Sequence, residues 1–124
     1  MIDFENGSVF KLAQTNIEKA EKLVHPLMVG DEKIISAYKS VRDLVVFTNK
    51  RVIAVNVEGV TGKKKDFTSL PYAKVQAFSV ETAGNFDLDS ELQLHYSNLG
   101  TVIFEFSGRS DMLELGRVIG EHVL

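Results

Sequence analysis

Between residues 86 and 96 the chain alternates with little interruption. Phe86, Leu88, Leu92, Leu94 and Tyr96 interleave with Asp87, Asp89, Glu91, Gln93 and His95, and only Ser90 breaks the apolar row. A two-residue period places one set of side chains in a core and the other in water, so the stretch predicts a half-buried strand with Leu88, Leu92 and Leu94 inward. The surrounding sequence follows the same grammar. Residues 34–39, 44–48, 51–57, 63–70, 74–82 and 101–106 are short runs rich in Val, Ile, Phe and Thr, residue types that suit a pleated surface. Asn49-Lys50, residues 58–62, residues 83–85 and residues 98–100 supply turns between them, and such short connections favour antiparallel neighbours. Seven short strands leave two sheet edges, and a bent sheet with a helix across its open end is one way to cover them.

That helix is expected from about Asp111. Asp111 followed by Glu114 has capping-box character, and Met112, Leu115, Ile119 and Val123 form an apolar stripe. Gly116 and Gly120 lie on it four residues apart. Each weakens an isolated helix by about 1 kcal/mol relative to Ala, so close approach to the sheet is the expected return. At the other end, Thr15-Asn16 offers capping side chains for a helix carrying Ile17, Ala20, Val24, Leu27 and Met28, with Pro26 limiting its regular part and a short further turn after it. Phe4, Val9, Phe10 and Leu12 show no clean period, so residues 1–14 read as an arm or frayed helix in need of something to pack against. The organisation expected is an N-terminal arm and helix over 1–29 and a β-rich domain over 30–124, within one structural domain. The fold class is mainly β, in the α+β sense.

Composition narrows the function. The chain has no cysteine and a formal charge of −3, which removes disulfides and thiolate chemistry and gives no general pull towards nucleic acid. No signal peptide or long apolar run is visible, so the expected location is cytoplasmic. His25, His95 and His122 are scattered, with no nucleophile motif and no metal-ligand spacing beside them. Asp87, Asp89 and Glu91 alternate as a solvated strand face does, and lack the glycine and distant glutamate of a calcium loop. No catalytic residue, cofactor or metal site is expected, and the protein reads as a non-enzyme.

Several stretches then become recognisable in order: Ala37-Tyr38-Lys39 with Arg42-Asp43, Phe47-Thr48-Asn49-Lys50-Arg51, Gly59-Val60-Thr61-Gly62-Lys63-Lys64, Pro71-Tyr72, Phe78-Ser79-Val80-Glu81-Thr82-Ala83-Gly84, and Phe86-Asp87-Leu88-Asp89 leading into Glu91-Leu92. Through them the chain resembles the bacterial pleckstrin-homology domain family over about residues 17–124. The resemblance implies a PH-like barrel of seven antiparallel strands in two near-orthogonal sheets, with a C-terminal capping helix. It also implies self-assembly, since family members look like subunits of closed rings, of five copies, and it implies no known ligand.

Two functional readings follow. The first is a non-catalytic interaction module that forms a homo-oligomeric ring and presents a repeated surface to a protein partner not yet identified. A ring needs a head-to-tail contact, and the N-terminal segment and open strand edges are the expected patches. The second is a peripheral membrane module. Lys63, Lys64 and Lys65 form a charge run that, with Lys39, Arg42, Lys50 and Arg51, is a candidate basic mouth for anionic lipid headgroups. Glu81, Thr82 and Gly84 mark a further candidate, a shaped turn serving as a subunit contact or ligand groove.

Overall fold

The computed structural model describes residues 1–4, 8–86, 88–108 and 111–124, the Ser8 side chain excepted. Eight strands form one curled sheet: β1 (Ser8–Gln14), β2 (Ile34–Lys39), β3 (Leu44–Thr48), β4 (Arg51–Glu58), β5 (Lys64–Pro71), β6 (Ala77–Glu81), β7 (Ser90–Tyr96) and β8 (Gly100–Phe106). Helix α1 (Ile17–Val24) follows β1, and α2 (Met112–Val123) closes the chain. The order across the sheet is β5-β4-β3-β2-β1-β8-β7-β6. The mainly β fold, with a bent sheet, a C-terminal helix and an N-terminal helix, is therefore present as the sequence led one to expect.

The N-terminus corrects the sequence reading. Residues 8–14 are neither arm nor frayed helix but the strand that joins the two halves of the sheet, which brings the strands to eight and the two expected sheets into one. β1 runs parallel to β8 from Ser8↔Val102 to Leu12↔Phe106, then turns to pair antiparallel with β2 at Ala13↔Lys39 and Gln14↔Tyr38. Phe10 and Leu12 point into the core while Val9 is 48% exposed. The period of two was present, and outward Val9 obscured it. Upstream, Ile2 is buried in the same core and the Met1 ammonium meets Asp66 at 3.0 Å. Gly100 admits the passing chain, since a Cβ there would lie 2.7 Å from the Phe4 carbonyl oxygen.

Two apolar clusters hold the fold. The inner one gathers Phe10, Leu12, Phe47, Tyr72, Leu92, Leu94, Phe104 and Phe106 with Met112, Leu115 and Ile119 of α2. The outer one sets Ala20 and Val24 of α1 on Ala37, Val46, Ile53 and Val55. Because α1 covers the back of β2–β4, β3 and the first half of β4 are buried on both faces, and they read as continuous apolar runs instead of alternating ones. Asn16 caps α1 by accepting from the Glu18 and Lys19 amides, and Asp111 caps α2 by accepting from the Glu114 amide. The expected turn after Pro26 is a 3-10 turn at His25–Leu27.

The strand around Leu92 is shorter than its alternation. β7 begins at Ser90, which is buried and continues the inward row, whereas Phe86 is 104% and Leu88 59% exposed. Leu88 is thus not a core residue. β6 is shortened likewise to Ala77–Glu81, because a 3-10 turn at Tyr72–Lys74 takes up the preceding residues. Gly116 and Gly120 do allow close packing. A Cβ at Gly116 would stand 3.1 Å from Val80 Cγ2, and one at Gly120 3.7 Å from Phe78 Cζ.

Candidate functional site

The antiparallel register sends the candidate cations to opposite ends of the sheet. Lys39 ends β2 against Leu44, and Glu58 faces Lys64 across β4 and β5, so the β2–β3 and β4–β5 turns share one end. Arg42 ties these turns together by donating from Nη2 to the Gly59 carbonyl at 2.6 Å. Lys39, Arg42, Lys63, Lys64 and Lys65 all lie exposed at this end, with Lys65 Nζ donating to the Gly62 carbonyl at 3.2 Å. Two residues that the sequence analysis did not weigh project beside them: Val41 and Val60 are 102% and 105% exposed at the turn tips. Lys11, on β1, joins Lys39, Ser40 and Val41 along an open cleft of about 630 Å³, with Asp89 and Glu105 on its other wall. Lys11 was hidden because its segment was read as an arm, although buried Phe10 and Leu12 on either side of it carry a strand's signature.

Lys50 and Arg51 sit at the far end and are already engaged. Lys50 Nζ pairs with Asp31 at 3.1 Å, and this contact lowers the Asp31 pKa. Arg51 grips Glu32 through Nε and Nη2, each at 2.9 Å, and also donates to Ser69 Oγ and the Leu27 carbonyl. The Glu32 side chain is fully buried. Burial alone would raise its pKa, but hydrogen bonds from Arg51, the Thr48 hydroxyl and the Val29 amide outweigh it, and the net shift is downward. Thr48 Oγ1 also accepts from the amides of Lys50 and Arg51, shaping the β3–β4 turn. Below it the Tyr72 hydroxyl donates to the Thr48 carbonyl at 2.7 Å, and burial pushes the phenol pKa up. This constellation is an internal brace that ties the segment after α1 to the sheet. No local motif announces it, since Glu32 and Arg51 are 19 residues apart.

The third candidate lies at the end of β6. Glu81 faces Glu91 across β6 and β7, and Glu91 in turn faces Glu105 on β8. Thr82 and Gly84 are exposed just beyond the strand. They lead into the segment that carries Phe86 and Leu88. The histidines remain apart: His95 Nδ1 meets Thr101 Oγ1 at 2.7 Å, while His122 Nδ1 lies 2.9 Å from the Val118 carbonyl of its own helix. Of the alternating carboxylates, Asp87 lies outside the described residues.

Comparison with known proteins agrees with this architecture. The model of the bacterial PH domain family matches residues 3–123. The chain is 48% identical over 101 residues to the uncharacterized protein YjqA of Bacillus subtilis (strain 168), covering 80% of each, and 35% identical over 102 residues to the uncharacterized protein YozO of the same organism, covering 82% of this chain and 88% of the other. Among solved structures it is similar to a DUF1696 family protein with a pleckstrin-homology domain from Shewanella loihica PV-4, with a TM-score of 0.74 and 36% identity over 93% of this chain and 99% of that one. A pleckstrin homology domain from Shewanella amazonensis SB2B aligns with a TM-score of 0.62 and 38% identity, over 89% and 90% of the two chains. The family match spans β1 as well as the β2–α2 body. This chain belongs to the bacterial PH domain family.

Proposed function

We propose that the protein is a non-catalytic interaction module that joins head-to-tail with its own copies into a closed ring, and that the ring displays a repeated surface to a protein partner. The observation that carries this reading is the open sheet. Among the described residues β5 pairs only with β4 and β6 only with β7, so the sheet ends in two free edges. Exposed strand edges invite further pairing unless something covers them. These two edges differ in length and charge, β5 opening on lysines and β6 closing on glutamate. Unlike patches suit a head-to-tail contact, which closes into a ring when its rotation allows. The family resemblance adds five copies as the expected size. Sedimentation at micromolar concentrations should show a species several times 13.8 kDa. A monomer that persists as the concentration rises would sink the proposal.

A second reading is favoured by the cationic end. Val41 and Val60 stand fully in water between Lys39, Arg42 and Lys63 to Lys65, the pattern of a surface that inserts small apolar tips among anionic headgroups while its cations hold the phosphates. Lys50 and Arg51 take no part in this reading, being committed at the other end. Vesicles with and without anionic lipid, at low and moderate salt, test it. Replacing Lys63, Lys64 and Lys65 with Glu should leave the melting temperature within a few degrees and abolish binding to anionic vesicles. Binding that survives this reversal removes the reading.

A further inference from the structure

The β2–β3 and β4–β5 turns each hold one valine fully in water. Ser40 and Asp43 close the first turn twice, the Ser40 amide donating to the Asp43 carbonyl at 2.9 Å and the Asp43 amide to Ser40 Oγ at 3.1 Å. Val41 is left exposed at its tip. In the second turn Gly59 and Gly62 have φ of +77° and +69°, a left-handed backbone that glycine adopts without strain, and Val60 stands exposed between them. A single exposed valine needs no explanation. These two differ because the structure fastens one turn to the other. Asp43 Oδ1 anchors the base of the first turn to β4 by accepting from the Val57 amide at 3.1 Å. Arg42, next to Val41, reaches the tip of the second by donating from Nη2 to the carbonyl of Gly59, next to Val60, at 2.6 Å.

The charges nearby say what such a pair would meet. Lys39, Lys63, Lys64 and Lys65 are exposed at the same end of the sheet, so the surface around the valines favours an anionic partner. That partner is not a compact polyanion held in a cavity. The hollow of about 680 Å³ between the first turn and β1 is lined by Phe10, Lys11, Arg42, Asp43 and Asn56 among others. A headgroup bearing several phosphates would meet the Asp43 carboxylate there, and the Arg42 guanidinium is already committed to Gly59. The lysines outside the hollow are better placed to meet charge spread over a surface. Small apolar tips among cations suit the interface of an anionic bilayer, where the tips leave water and the cations stay beside the phosphates.

We propose that Arg42 locks Val41 and Val60 into one two-point wedge that enters the interface of an anionic bilayer, and that the wedge reads surface charge without selecting a headgroup. This rests on the membrane reading above and adds to it a positioning residue, an orientation and a class of lipid. Both turns lie at one end of the strands, so the strands stand away from the bilayer and the two valines enter together. The bond from Arg42 to Gly59 is exposed and worth little in water. It strengthens where water is thinned, as at an interface, so docking and locking support each other.

The chain has no tryptophan, so Val41→Trp and Val60→Trp each place a single reporter in the full chain. The probe is a vesicle of phosphatidylglycerol and phosphatidylcholine in equal parts, with phosphatidylcholine alone as the neutral control. On the charged vesicle both reporters should shift to the blue and be quenched equally by brominated acyl chains, and on the neutral one neither should respond. Val41→Ser and Val60→Ser change no charge and sit at exposed tips, so thermal melts should match the wild type. Each should nevertheless weaken binding to the charged vesicle about tenfold, as withheld apolar burial does. Arg42→Gln and Lys64→Gln each remove one cation and should each cost about fivefold. Only Arg42→Gln should make the two reporters unequal in quenching, which loss of charge by itself would not do. Inositol hexakisphosphate in solution, at matched ionic strength, should not compete. Reporters that stay in water while the wild type binds charged vesicles overturn the wedge and leave the membrane reading to the lysines. Equal quenching after Arg42→Gln overturns the lock, and competition by the soluble polyphosphate overturns binding without headgroup selection. A wild type that binds neither vesicle removes the membrane reading itself and the wedge with it, and leaves the two valines to a contact with protein.

Discussion

Glu32 shows how one side chain serves the fold in a way that its surroundings in the sequence do not announce. It stands next to Asp31 in a polar loop, but Asp31 stays in water with Lys50 while Glu32 is drawn under the sheet by Arg51 and Thr48. A buried carboxylate is tolerable when paired and hydrogen-bonded, and removing its charge strands the partner. Glu32→Gln should therefore lower stability by about 2–3 kcal/mol at pH 7, read by urea unfolding. The dependence on pH has a definite sign. The folded-state pKa of Glu32 lies below its ordinary value of 4.5, so its contribution is complete above that value and is lost as pH falls through the depressed one. Wild-type stability should drop below about pH 4.5 more steeply than that of the variant. Parallel pH profiles would show that the brace does not couple to folding.

At the scale of elements, alternation located the strand around Leu92 but overran its start. Leu92 and Leu94 are fully buried, and each pairs across to both β6 and β8. Leu88, on the same sequence parity, lies before the start of β7 and pairs with no strand among the described residues. Leu92→Ala should thus cost about 2–5 kcal/mol, as truncations of buried leucine do, and Leu88→Ala less than about 0.5 kcal/mol, as exposed substitutions do. Equal losses at the two positions would mean that β7 extends back through Leu88 in solution. The sequence pattern reports which residues are able to share a face. Neighbouring strands decide how many of them do so. β5 shows the same dependence, since among the described residues it begins and ends where its partner β4 does.

For the molecule as a whole, β1 is the element on which the architecture turns. Without it β2 and β8 would become two new edges and the sheet would fall into two pieces, with the sites of Ile2, Phe10 and Leu12 emptied from the core. A chain lacking residues 1–14 should show no cooperative thermal transition, whereas a dispensable arm would leave one intact. What the structure corrects is the reading of residues 8–14 as an arm, since they form the strand between β2 and β8. Among the described residues the outer sides of β5 and β6 remain the two edges of the sheet, and Leu113 and Leu124 are exposed near β6. The cationic β2–β3 and β4–β5 turns form a separate face.

Local order along this chain was determined by sequence alone. Strands β2 to β5, β7 and β8, both helices and their caps at Asn16 and Asp111 follow from period, β-branched content and turn residues acting over a few positions. The bacterial PH family was legible for the same reason, because its motifs sit in those stretches. Long-range pairing was decided only by the tertiary structure. The parallel docking of β1 on β8 joins residues more than ninety positions apart, and no local periodicity encodes a partner at that distance. The candidate site divided along the same line. Seven cations formed one basic mouth when read as a list, but strands of five to eight residues carried Lys50 and Arg51 to the opposite end from Lys39, Arg42 and Lys63 to Lys65. An antiparallel strand moves successive turns a full strand length apart, so proximity in sequence became separation in space, and the buried Glu32 then held Arg51 where it was.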